Sequence, residues 1–211
     1  MAGKPASTLL ILALACSAIT FSNSRLLAYA EPALAPTSWQ LDFTYRVPRT
    51  IAVRDIDQRV QWYWYMPYKI VNNSGQEQFF VPDFTIATHH GDIITAGRGI
   101  PPHVFTAVKQ ELDNRLLKNP LQASGRILLG EDHARESVAI WPVFQHDVDY
   151  QTIFVAGLSG ESVIIKHPLT GKDVPLRKSL MLTYHIPGSR SPLVNPQQQA
   201  VRLLGKTWVM R

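Results

Sequence analysis

Residues 61–81 read QWYWYMPYKIVNNSGQEQFFV, and the fold turns on how they are read. In a strand, residues two apart share a face. Trp62, Trp64, Met66, Tyr68 and Ile70 then point one way, a core-like set. Tyr63, Tyr65, Pro67, Lys69 and Val71 point the other way, a set more like a surface. Five aromatic residues within eight positions suggest a stacking platform for a glycan. Alternation divides them. The two tryptophans go to the core, and Tyr63 and Tyr65 keep the claim to recognition. Pro67 has no N–H for a ladder, so it implies a sheet edge or a bulge. NNSGQE supplies turn residues, and QFFV returns as the second arm of a hairpin. Asn72-Asn73-Ser74 also matches the glycosylation triplet, which counts only in a eukaryotic source.

Strand patterns continue on both sides of this hairpin. In WQLDFTYRV, Trp39, Leu41, Phe43, Tyr45 and Val47 share one face and polar residues the other. After FTIAT (84–88) comes PPHVFTAVKQELDNRLLKNP, the one convincing helix, over about 102–118. Val104, Val108, Leu112 and Leu116 repeat every four residues along it. One narrow apolar stripe needs one covering surface, so the helix is expected to pack across the end or edge of a sheet. Strands resume as RILL, SVAIWPVF, QTIFVAGL, ESVIIKH, PLRKSLMLTYHI and GKTWVMR. Seven to nine short strands with turn signals between them point to a mainly β fold, an antiparallel immunoglobulin-like β-sandwich with one inserted helix over residues 39–211. Helices do not alternate with strands, which disfavours parallel α/β.

The first thirty residues read differently. Lys4 precedes an apolar run from Thr8 to Phe21, and Ala28-Tyr29-Ala30 forms an A-x-A cleavage site. This is the pattern of an export signal over 1–30, shorter than the roughly 20 apolar residues of a membrane span. The chain is therefore expected to be periplasmic or extracellular, without a stable span after cleavage. ALAC places Ala13 where a lipoprotein signal usually has Leu, and apolar sequence continues past Cys16, so an ordinary cleaved signal is preferred to lipidation. EPALAPTS (31–38) reads as a linker. After cleavage no cysteine remains, which excludes disulfides, Cys-ligated zinc and a thiol nucleophile. Loss of Lys4 and Arg25 lowers the formal net charge from +5 to +3. No Lys/Arg block reaches the density of a nucleic-acid patch.

The search for chemistry yields few candidates. No phosphate-binding glycine loop is present. AGLSGE sets Ser159 between glycines at G-x-S-G spacing, which is not a nucleophile elbow and reads as a loop serine. His89 and His90 are adjacent, with Asp92 near, and His146 lies beside Asp147 and Asp149. Imidazole and carboxylate suit Zn or Cu, so His89, His90 and His146 are the candidate metal ligands. Neighbours in an extended chain point to opposite sides, so a turn must fold the His89–His90 pair together. Asp55 and Asp57 alternate around Ile56 and read as solvated turn carboxylates.

YKIVNNSGQEQFFVPDFTI, SVAIWPVF, TIFVAGLSGE and LRKSLMLTYHIPG resemble segments of exported immunoglobulin-like β-sandwich proteins of planctomycete-like bacteria. The resemblance covers residues 61–188. It implies fold and export and brings no catalytic residue with it. Together the features lead to a non-enzymatic envelope protein, without a cofactor, that binds or scaffolds an envelope protein or a glycan. Two alternatives stand beside it: a periplasmic protein holding Zn or Cu on its histidines, and a carbohydrate-binding module.

Overall fold

The computed structural model describes residues 30–35, 37–143, 148–186 and 201–211. The expected export signal with Cys16, apart from Ala30, lies outside these residues, as do His146 and Asp147. The first strands are β1 (Asp42–Tyr45), β2 (Arg49–Arg54), β3 (Val60–Val71), β4 (Gln78–Phe80), β5 (Asp83–Thr88) and β6 (Ile93–Thr95). Two helices follow, α1 (Pro102–Glu111) and α2 (Pro120–Ala123). The chain continues with β7 (Gly125–Ile127), β8 (Arg135–Pro142), β9 (Tyr150–Ala156), β10 (Ser162–Lys166), β11 (Asp173–His185) and β12 (Arg202–Met210). The fold is mainly β, and all strand pairs between these elements are antiparallel.

Each of two sheets is organised on one long strand. In the first, β3 pairs with β8 on one side and with β1 and β2 in succession on the other. In the second, β11 pairs with β12 on one side, while β9 and β10 succeed each other on the other; β5 and β6 extend the sheet beyond β9. A short pair, β4 with β7, stands apart.

The two sheets face each other across one apolar core, an arrangement consistent with a β-sandwich. Trp64, Met66, Tyr68 and Ile70 enter it from β3. Phe84, Ile86, Ile153, Val155, Leu180, Leu182 and Tyr184 enter it from the second sheet. Trp64 is directly opposite Trp141 of β8, and both are buried between the sheets. Trp62, expected in the same set, is only half-buried at the strand's outer end.

Pro67 lies in a central strand rather than at a sheet edge. Tyr45 pairs with Tyr68 and Arg49 with Tyr65, so three residues oppose two and the edge bulges by one residue. The Arg46 N–H donates to the Pro67 carbonyl at 2.9 Å. The reciprocal bond would need the N–H that proline lacks, so the missing donor falls where the ladder is already broken.

Two helices are present where one was expected. Pro102 begins α1, in keeping with its fixed φ. It ends at Glu111, short of the expected 118, because Asp113 takes φ 45° and the Asn114 side chain caps the Leu116 N–H at 3.0 Å. Leu116 therefore leaves the apolar stripe and is exposed. Asn119 then starts α2 with a reciprocal capping box to Gln122. Helix α1 lies over the outer face of the first sheet, burying Val104 and Val108 against Val53, Tyr63, Tyr65, Val138 and Ile140. Full burial of a valine side chain stabilises by about 1.5–3 kcal/mol, so this small second core suffices to hold the helix down.

Candidate functional site

The expected recognition face of β3 is not a surface. Tyr63 is 9% exposed and Tyr65 2%, both packed beneath α1. Alternation placed the two rings on the face opposite the tryptophans, and that face is covered. Burial also pushes both hydroxyls above their ordinary pKa.

The turn after β5 does fold His89 and His90 together, with ring centroids 3.9 Å apart. His89 meets the edge of Tyr150, and Tyr150 lies against His185. His146 lies outside the described residues, and among those described no group of three His, Cys, Asp or Glu is placed to hold a metal ion. Asn72 is fully buried, and its amide nitrogen donates to the Gln76 and Ile127 carbonyls, both at 2.9 Å. That nitrogen is the one a glycan would use, so in this fold the triplet serves the turn. Asp55 accepts the N–H groups of Asp57 and Arg59 and closes the β2–β3 hairpin.

The core holds polar atoms without a protein partner among the described residues: the Tyr184 hydroxyl, the Trp141 indole nitrogen and the Gln151 amide. Burial pushes the Tyr68 hydroxyl up to about 12 and raises that of Tyr184 too. Both are neutral at physiological pH, so neither is poised for proton transfer there.

The larger opening lies elsewhere, on the second sheet. Val155 pairs with Leu180 and Ser162 with Arg177, so the chain between β9 and β10 leaves the edge of β11 and rejoins it. In between it pairs with the segment before β1: the Leu41 N–H donates to the Leu158 carbonyl and the Gly160 N–H to the Trp39 carbonyl. The departure opens a cleft of about 580 Å³. Trp39, Phe79 and Phe154 supply rings, and Ser159, Ser162 and Ser179 supply hydroxyls. Arg177 and Arg211 supply cations to the lining, and Asp83 and Glu161 carboxylates. Thr85, Phe154, Ser179 and Arg177 belong to the outer face, since their neighbours Phe84, Val155 and Leu180 point into the core.

Two glycines shape the loop. Gly157 has φ 82°, and a side chain there would meet the Val81 carbonyl at 2.7 Å. At Gly160 a Cβ would come within 2.3 Å of the Trp39 indole nitrogen. Glu161 also lines the cleft, and it forms an ion pair with Lys178 at 2.9 Å, with side chains 10% and 4% exposed. The Ala33 N–H donates to the same carboxylate at 2.8 Å, so the expected linker is fastened here to the body. These two donors, Ala33 first and then Lys178, hold the Glu161 carboxyl below its ordinary pKa. The Lys178 ammonium also lies 5.3 Å from the Trp208 ring centroid.

This cleft was not among the sites expected from sequence. Its signal was the paired glycines of AGLSGE, which read only as a loop around Ser159. The Ser159 hydroxyl accepts the Glu161 N–H at 3.2 Å, and no histidine lines the cleft to activate it. Fold and site define a mainly β protein with one sheet face closed by a helix and a cleft on the other. No protein-family model, no curated protein and no solved structure matches the chain.

Proposed function

We propose that the chain is an exported, non-enzymatic binding protein of the cell envelope on an immunoglobulin-like frame, and that its ligand occupies the cleft between β9 and β10. One observation carries this reading. The outer face of the first sheet is closed by α1, whereas the cleft of about 580 Å³ on the second sheet has rings, hydroxyls and two arginines at its walls. Such a mixture of apolar surface and a few polar groups is typical of ligand sites. The frame is supported by the facing antiparallel sheets with Trp64 and Trp141 between them. Export is supported by the sequence pattern of residues 1–30. Among the described residues, no helix is long and apolar enough to cross a membrane.

The test is a thermal-shift screen of soluble envelope polysaccharide fragments and envelope proteins against the wild type and Ser162→Trp. Ser162 is exposed at the cleft wall, so the variant fills the opening without disturbing the core. Ligands that shift the wild type and not the variant support the reading. Ligands that shift both equally bind elsewhere and refute it.

A further inference from the structure

Resting on the binding reading above, we infer that the cleft recognises an anionic saccharide, a sugar ring bearing a carboxylate or sulfate that seats between Arg177 and Arg211. The two arginines are direct partners in the ladder: the Arg177 N–H donates to the Arg211 carbonyl at 2.7 Å, and the Arg211 N–H donates back at 3.0 Å. Residues so opposed carry their side chains on one face, about 5.5 Å apart at Cβ, and like charges there repel. Among the described residues neither guanidinium forms an ion pair with a carboxylate. Arg211 rests on the Phe154 ring at 4.3 Å, which orients it along the cleft wall. The nearby Glu161 is already engaged by Lys178 and the Ala33 N–H. Asp83 belongs to β5, which β9 separates from β11.

Two guanidiniums side by side, neither in an ion pair among the described residues, are matched by one bidentate anion, because each fork presents parallel N–H donors to a pair of oxygens. The rest of the cleft narrows the body of the ligand. Ser162, exposed in the lining, can bond a hydroxyl, and Trp39 and Phe79 offer ring faces to C–H surfaces. An inorganic anion would leave the rings unused. An extended acidic peptide prefers a long free strand edge, and the break along β11 leaves only Lys178 and Ser179 outside the ladders with β9 and β10.

The test is isothermal titration of wild type, Arg177→Gln, Arg177→Lys, Arg211→Gln and Ser162→Trp with five probes: trigalacturonic acid, a sulfated trisaccharide, neutral maltotriose, inorganic phosphate and hexaglutamate. The expected result is that an acidic trisaccharide binds at least about tenfold more tightly than maltotriose, with affinity falling as salt rises. Each Gln variant lowers that affinity about tenfold or more, and the Lys variant lies between. The carboxylate and sulfate probes then tell which anion is preferred. Removing one of two repelling charges leaves the Tm of ligand-free Arg177→Gln at or above that of the wild type, so loss of binding there is not loss of fold. Equal affinity for maltotriose and the acidic sugars, unchanged in the arginine variants, overturns the anionic inference and leaves the cleft reading standing. Phosphate or hexaglutamate binding as tightly as the acidic sugars also overturns it. Binding that persists in Ser162→Trp removes the cleft reading and the inference with it, and no saccharide binding at all overturns the inference while leaving the cleft to a protein ligand.

Discussion

Both long strands run beside a broken edge, and the two breaks differ in what they leave open. Along β3, the break between β1 and β2 amounts to one extra residue opposite Pro67. A small cleft of about 270 Å³ remains there, roofed by Leu112, Asn114 and Leu117 from the end of α1 and the turn after it. Of its charged residues, Lys69 pairs with Glu131 and Glu136 accepts the Asn114 amide at 2.6 Å, while Arg46 forms no ion pair among the described residues. Along β11, the chain between β9 and β10 swings away to pair with residues 39–41. The cleft there has about twice the volume, and among the described residues Arg177 and Arg211 form no ion pair there. An interrupted ladder is thus not in itself a site. It becomes one where the excursion is long enough to open a wide cleft beside two laddered arginines.

The largest effect that bears on this contrast lies behind the second break. Glu161→Gln leaves the Lys178 ammonium buried without its counter-charge and should cost about 3 kcal/mol in urea unfolding at neutral pH. Glu131→Gln, which removes an exposed pair beside the first break, should produce no measurable change. The pH dependence follows from the lowered pKa of Glu161. A carboxyl depressed in the folded state adds stability above its unfolded value, near 4.5, and loses it as pH falls through the folded value. Wild type and Glu161→Gln should therefore converge in stability as pH falls through the depressed folded value of Glu161. A gap that stays constant on acidification would remove the ion pair as its cause.

Next in size are the sheet faces themselves. Tyr65→Ala opens a cavity under α1 and should cost about 3 kcal/mol. Phe154→Ala, on the half-exposed outer face of β9, should cost about 1 kcal/mol or less. Equal costs would mean that the second face is covered as the first is. Gly160→Ala drives a methyl group into Trp39 and should cost about 2 kcal/mol while shifting tryptophan emission, because Trp39 must leave the cleft wall.

Much of the fold was legible because alternation is local. Trp64, Met66, Tyr68 and Ile70 were read to the core from period two alone, and they lie there. Leu180, Leu182 and Tyr184 of β11 behave in the same way. Alternation assigns residues to faces, but it does not say which faces are covered. Tyr63 and Tyr65 were read as surface for that reason, since only the docking of α1 buries them. The helix end was missed because the stripe continued to Leu116 while Asp113 and Asn114, good turn formers, broke the backbone. Of the cleft, only the loop glycines of AGLSGE left a trace in the sequence. Arg177 and Arg211 are distant in sequence, and only the register of β11 with β12 sets them side by side. The His89–His90 pair shows the opposite case, where a local turn met the stated condition for convergence.

The smallest expected effect separates the two breaks most cleanly. Pro67→Ala restores an N–H that can reach the Arg46 carbonyl, a bond worth about 0.5–1.5 kcal/mol. It also frees the unfolded chain, which costs about 0.4–1 kcal/mol. The two nearly cancel, so stability should stay within about 1 kcal/mol of wild type. Gly157→Ala has no such compensation. Its φ of 82° is strained for any side chain, and the new methyl meets the Val81 carbonyl at 2.7 Å. A cost of about 2 kcal/mol or more is expected, read as a fall in the urea midpoint at unchanged slope. If Pro67→Ala proves the costlier of the two, the proline shapes its bulge rather than merely tolerating it, and the first break is then the more tightly built.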